Sequence, residues 1–182
     1  LYIEVFRGTP MMVQAVFIYY LVYSNIVKWD KFVAALFVLS INTGAYMSEI
    51  IRGGIQSVDK GQTEAARALG MSNWQTMLSV VLPQAVKNSF PAIGNEFIVN
   101  IKDSSVLMII SITELMFQSK SVAGSTYAFT ETYFVTALIY LFMTTITSFI
   151  LNKIENRMSH TKTSLPQSDT NINSINIAKG DN

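Results

Sequence analysis

TYFVTALIYLFMTTITSFILN, residues 132–152, runs for 21 positions between Glu131 and Lys153 without a single charge. A helix of that length, at about 1.5 Å rise per residue, crosses a hydrocarbon core of about 30 Å. Two further uncharged runs match it: 20 residues between Arg7 and Lys28 and 17 between Lys31 and Glu49, the latter extending through Ile50 and Ile51. A fourth region, 91–113, is apolar except for Glu96, Lys102 and Asp103. The alternative is a soluble bundle with buried helices, but such helices rarely leave some 20 positions uncharged on every face. The fold class expected is therefore all-α, a multi-pass transmembrane helical bundle with spans at about 10–27, 32–51, 91–113 and 132–152. Composition agrees: half of the 182 residues are apolar and 14% charged, against about 25% charged in soluble domains.

Composition also excludes chemistry. There is no cysteine, and the one histidine, His160, lies in a polar tail, so disulfides, thiolate or imidazole metal sites and Ser-His catalysis lose support. No catalytic residue, metal or cofactor is expected, and the chain is not expected to be an enzyme. The net charge of +1 shows no basic excess for nucleic acid.

Residues 68–86 are also uncharged but hold Gly70, Ser72, Asn73, Gln75, Thr76, Ser79, Pro83 and Gln84. They read as part of a helix-turn-helix loop at about 57–83. The first helix starts at Ser57 or Asp59 and ends at Leu69, Gly70 is the left-handed stop, and Ser72 with Gln75 forms a capping box for a second helix. Pro83 ends or restarts the helical path. Thr9-Pro10 reads as the N-cap and first position of the first span. Lys and Arg set the orientation. Segments 1–9, 51–90 and 152–182 hold nine (Arg7, Arg52, Lys60, Arg67, Lys87, Lys153, Arg157, Lys162, Lys179), whereas loops 28–31 and 114–131 hold three (Lys28, Lys31, Lys120). The 51–90 loop and the C-terminus are thus expected in the cytoplasm. Residues 158–182 are rich in Ser, Thr and Asn and read as a disordered tail.

Polar groups at membrane depth are costly and mark function or helix-helix hydrogen bonds. At 100° per residue, Glu96, Asn100 and Asp103 sit at about 0°, 40° and −20°, one narrow stripe. Asn42, Tyr46 and Glu49 repeat that spacing on the second span. Two spans each carrying a carboxylate stripe suit a route for a small hydrophilic or zwitterionic solute; structural hydrogen bonding is the alternative, and for Glu49, near the cytoplasmic end, the favoured one. Thr136, Tyr140, Thr144 and Thr147 read as packing.

The loop has the look of a DNA-binding motif, but its second helix, Ser72 to Leu82, has no Lys or Arg to meet phosphates. It instead offers Trp74, Met77, Leu78 and Val81 as an apolar face.

Glu64-Ala65-Ala66, three residues, Gly70, nine residues, then Val80-Val81-Leu82-Pro83 resembles the cytoplasmic EAA loop of permease subunits of bacterial ABC importers, the polar amino-acid branch. YIEVFRGTP at 2–10, NTGAYMSEIIRGGI at 42–55, GQTEAARALGMS at 61–72 and LPQAVKNSFPAIGNEFIVNIKDSSV at 82–106 are similar to that branch too, so the resemblance covers 1–157. It implies a non-enzymatic permease domain over 1–157 in the bacterial inner membrane. Its loop docks through Glu64, Ala65, Ala66, Gly70, Leu82 and Pro83 on an ATP-binding cassette subunit that hydrolyses ATP. The other implied partners are a second permease copy, identical or paralogous, and an extracytoplasmic binding protein that delivers a polar amino acid. Asn42, Glu49, Glu96, Asn100 and Asp103 become candidates for the path or its gate. Relatives usually carry one more span before YIEVFRGTP, so a fragment is expected; Asp59 replaces a frequent Pro. The rival reading is a self-sufficient secondary carrier, for which inverted repeats would be expected; a membrane-anchored transcription regulator is disfavoured.

Overall fold

The computed structural model describes residues 1–25 and 30–159. Lys28, His160 and the tail from 160 onward, with its expected disorder, lie outside the described residues. The helices follow in the order α1 (Tyr2–Gly8), α2 (Met11–Asn25), α3 (Lys31–Gln56), α4 (Lys60–Ala68), α5 (Asn73–Thr76), α6 (Leu82–Asp103), α7 (Leu115–Thr126) and α8 (Phe129–Ser159). A π-helical turn, Met77–Val81, joins α5 to α6, and a 3-10 segment, Ser104–Ile110, extends α6.

Two helices are long and apolar enough to cross a membrane, α3 and α8 over Phe129–Arg157. A third path is broken: Asn73–Ile110 and Leu115–Thr126 meet at a bend of 57°. The bend follows from Ser111, in the left-handed region at φ 62°, and from Glu114, whose carboxylate accepts from the amides of Met116 (2.7 Å) and Phe117 (2.6 Å) and so starts α7 afresh. The described apolar part of α2, Met11–Leu21, is shorter.

Burial is inverted relative to a soluble protein. The core between α2, α3 and the 3-10 segment is Ala15, Tyr19, Ala34, Ala35, Val38, Leu107 and Ile110; its three alanines let the backbones of α2 and α3 approach, as in membrane helix packing. The large apolar side chains point outward: Phe17, Phe134, Leu141, Phe142 and Phe149 are each more than 60% exposed. Water would not tolerate such a surface, but lipid does.

Three local expectations change, for Thr9, Pro83 and Val81, and one choice is settled. Thr9 does not cap α2: its hydroxyl donates back to the Val5 carbonyl (2.8 Å) and closes α1, while the Pro10 carbonyl accepts from Val13 and Gln14. Of the two starts left open for α4, Asp59 is the cap, accepting from Gly61 N at 2.7 Å; the Ser57 hydroxyl is turned back onto Gly54 O. Pro83 neither ends nor restarts the helix. The π turn just before it, in which Leu82 N bonds Met77 O, widens the ladder where a proline would otherwise clash with a carbonyl. The Gln84 side chain then donates to Val80 O at 2.9 Å. The second loop helix and the third span are consequently one continuous rod. The π turn also moves the register, so Val81 faces inward, 5% exposed, while Trp74, Met77 and Leu78 stay exposed. Val81, Val58 and Ala85 form a small core at the base of the loop.

Candidate functional site

The α3–α6 interface carries the polar stripes. Its register is antiparallel. Gly54 lies against Ala85 and Ser89, the Ser89 hydroxyl donates to Ile50 O at 3.4 Å, and the Thr43 hydroxyl donates to Asn100 Oδ1 at 2.9 Å. Below this, Asn88 Nδ2 donates to the Ser57 hydroxyl (2.9 Å). That register sets Glu96 level with Ala45 and Tyr46, half-way along α3. Glu96 is 9% exposed, and no hydrogen bond or ion pair reaches it among the described residues. An acid at such depth usually faces a cavity or a partner. Asn100 is half-buried through its link to Thr43, and Asp103, next to the exposed Lys102, is exposed at the end of α6. The α6 stripe therefore grades from a buried acid to an open one.

The α3 stripe is used differently. Asn42, buried, donates to Gln14 Oε1 (3.0 Å), and Gln14 Nε2 donates to the carbonyls of Phe6 (2.8 Å) and Thr9 (2.9 Å). The Arg7 guanidinium lies over the Tyr46 ring, 5.5 Å from its centroid, and 3.8 Å from Glu49. Glu49 also meets Arg52 at 3.5 Å, and the Tyr2 hydroxyl donates to Ile41 O at 2.5 Å. Asn42, Tyr46 and Glu49 thus anchor the α1–α2 elbow along α3. Gln14 was the missed member, though it is the one amide between Arg7 and Lys28 apart from Asn25, a signal that intramembrane polarity supplies.

This knot makes a test. Asn42→Leu alone strands the Gln14 carbonyl oxygen, and Gln14→Leu strands the Thr9 carbonyl and leaves Asn42 only its long bond to Phe6 O (3.4 Å); each leaves buried polar groups poorly paired at about 1–3 kcal/mol. Thermal melting of the purified protein is expected to fall in both single variants. The double variant should melt above the sum of the two losses, because the Asn42–Gln14 bond is then counted once and neither side chain is left facing an apolar replacement, although the backbone carbonyls still lose the Gln14 donor. Strict additivity would show that the two side chains do not interact.

In the loop, α4 ends in a Schellman turn: Met71 N bonds Ala66 O (3.2 Å), Gly70 N bonds Arg67 O (2.9 Å), and Gly70 takes φ 84°. Ser72 and Gln75 form the reciprocal capping box, with bonds of 3.2 and 2.9 Å. Ala66 is buried, while Glu64, Ala65, Leu82 and Pro83 are exposed. On either side of the turn Leu69 is 83% and Trp74 71% exposed. In the sequence Leu69 reads only as the end of the helix, because position at a helix end does not say whether an apolar side chain has a neighbour. Behind the turn an open cleft of about 700 Å³ separates α4 from α5, with Lys60 and Arg67 on one wall and Asn73 and Met77 on the other.

On α8, Thr136 donates to Ser119 of α7 (2.6 Å), the Tyr140 hydroxyl donates to Glu114 (3.2 Å), and Thr144 and Thr147 bond carbonyls one turn back. These are packing bonds.

A lipid-facing helical bundle with a buried polar interface and a rigidly capped, protruding loop defines a membrane-embedded transport subunit. The chain belongs to the family of binding-protein-dependent transport system inner membrane components, which matches residues 1–160. It is 41% identical over 159 residues to a glutamine transport system permease protein of Escherichia coli (strain K12), covering 86% of this chain and 73% of that protein. It is 39% identical over 158 residues to an arginine transport system permease protein of Bacillus subtilis (strain 168), covering 86% and 72%. A crystal structure of an amino acid ABC transporter with histidines superposes with a TM-score of 0.81 at 45% identity, over 86% of this chain and 73% of that one. Membership makes the chain an inner membrane permease subunit of an all-α fold, with the ATPase on a separate subunit and a substrate-binding protein as a further partner.

Proposed function

We propose that this chain is the permease of an ATP-driven importer of polar amino acids. The observation that carries this reading is the loop: Glu64 and Ala65 stand exposed beside Leu69 and Trp74 on a turn locked by Gly70 and the Ser72 box. Such a knuckle transmits force when it is gripped by a cassette subunit, with Leu82 and Pro83 at the base of the rod that carries the motion into α6. The relatives named for glutamine and arginine transport support the solute class. Within the bundle Glu96, Asn100 and Asp103 form the solute-facing stripe, and Asn42 and Glu49 hold the elbow that walls its inner end. The Lys and Arg asymmetry supports a cytoplasmic loop and C-terminus. A second permease copy, identical or paralogous, completes the path.

The test is reconstitution in liposomes with the cassette subunit and the binding protein. Uptake of a polar amino acid should require ATP and all partners. Uptake by the permease alone, indifferent to ATP, would replace this reading with the secondary carrier. In the same system Glu96→Leu should leave basal ATP turnover intact and lower solute-stimulated turnover by roughly tenfold, the size of one lost charged contact. Unchanged stimulation would remove Glu96 from the path.

A further inference from the structure

The last turns of α8 carry a feature that neither the loop nor the polar stripes use. Lys153 and Arg157 stand one turn apart on the same face, both exposed, and neither takes part in an ion pair among the described residues. With Phe149, Ile150 and Ile154 they line a shallow groove of about 320 Å³. Phe149 is 70%, Ile150 52% and Ile154 42% exposed. The nearest acid on this helix, Glu155, sits about 200° around it from each cation and faces away.

Position supplies the chemistry. Only 6% of the apolar window of α8 is buried within this chain, which leaves its surface available to acyl chains. The two cations begin where the uncharged run ends, at headgroup depth. An exposed apolar groove lined also by two cations without ion pairs among the described residues matches a phospholipid with a net negative headgroup: the phosphodiester between Lys153 and Arg157, an acyl chain along Phe149, Ile150 and Ile154. A zwitterionic lipid would bring its own cation against both residues and fit worse, and a free anion would leave the apolar part of the groove unused.

We infer that the end of α8 is a binding site for an anionic phospholipid. The inference rests on α8 crossing the bilayer and not on which side its C-terminus lies.

The experiment is native mass spectrometry of the full-length permease with its cassette subunit, titrated with phosphatidylglycerol or phosphatidylcholine. Lys153→Gln/Arg157→Gln is expected to weaken phosphatidylglycerol adducts by on the order of 10-fold, leaving phosphatidylcholine adducts unchanged. The charge-conserving pair Lys153→Arg/Arg157→Lys should keep phosphatidylglycerol binding. Equal phosphatidylglycerol binding by the double Gln variant would overturn the site. So would an equal fall for both lipids, displacement by inorganic phosphate at matched concentration, or adducts seen only when the cassette subunit is absent. In liposomes a Leu141→Cys variant should be shielded from a water-soluble maleimide; labelling there would mean that α8 does not span, which overturns the underlying reading and the lipid site with it.

Discussion

Replacing Gly70 with valine is expected to abolish solute-stimulated ATP turnover in the reconstituted complex, by 10-fold or more, while the spans remain folded. Gly70 sits at φ 84° with open space where a Cβ would go, so the penalty is conformational and not a clash. A β-branched residue in the left-handed region costs on the order of 1–3 kcal/mol. The turn can shed that cost by giving up its two closing bonds, Met71 to Ala66 and Gly70 to Arg67, which fix the angle between α4 and α5. Leu69 and Trp74 would then lose their fixed spacing, and a pull on the knuckle would bend the loop without moving the rod behind it. Asparagine tolerates the left-handed region, so Gly70→Asn should recover much of the stimulation that Gly70→Val loses. Equal loss in both variants would place the effect in side-chain contact with the partner. Normal stimulation in both would remove the turn from coupling.

Gly54→Ala should be as damaging, for the opposite reason. In a helix interior alanine is favoured over glycine by about 1 kcal/mol, and Gly53→Ala, whose Cβ meets nothing within 4 Å, should show that gain. At Gly54 the new Cβ would overlap the Ser89 hydroxyl and lie 2.8 Å from the Ala85 carbonyl oxygen. A hydroxyl can rotate away, but a helix carbonyl cannot, so α3 and α6 must part. Forcing a methyl into a packed interface costs about 1–3 kcal/mol, which exceeds the propensity gain. Separation also stretches the Ser89–Ile50 and Thr43–Asn100 bonds that set the register around Glu96. The measurement is thermal melting with stimulated ATPase: Gly54→Ala lowers both and Gly53→Ala neither. Adding Ser89→Ala should not rescue Gly54→Ala, because the backbone oxygen remains; full rescue would mean that the hydroxyl alone was the obstacle.

Much of this was legible beforehand because it depends on local rules. The Gly70 stop, the Ser72–Gln75 box and the apolar runs each need only residues within a turn or two of one another. The break at Ser111 was not legible, since a serine gives no advance notice of a left-handed conformation, and neither was the passage through Pro83, which a π turn made possible. The two carboxylate stripes show the limit most clearly. Glu96 and Glu49 obey the same spacing on neighbouring helices, yet Arg7 and Arg52 meet Glu49 whereas no cation meets Glu96 among the described residues.

The sequence by itself determined the class: runs of some 20 uncharged residues that are apolar throughout favour lipid-spanning helices over a soluble bundle, and the 64–83 spacing specifies the loop. Only the tertiary structure decided which polar stripe is free. A helical repeat says which residues share a face, because that is a property of one helix. What the face meets depends on which distant segment packs there, and the α1–α2 elbow packs on α3.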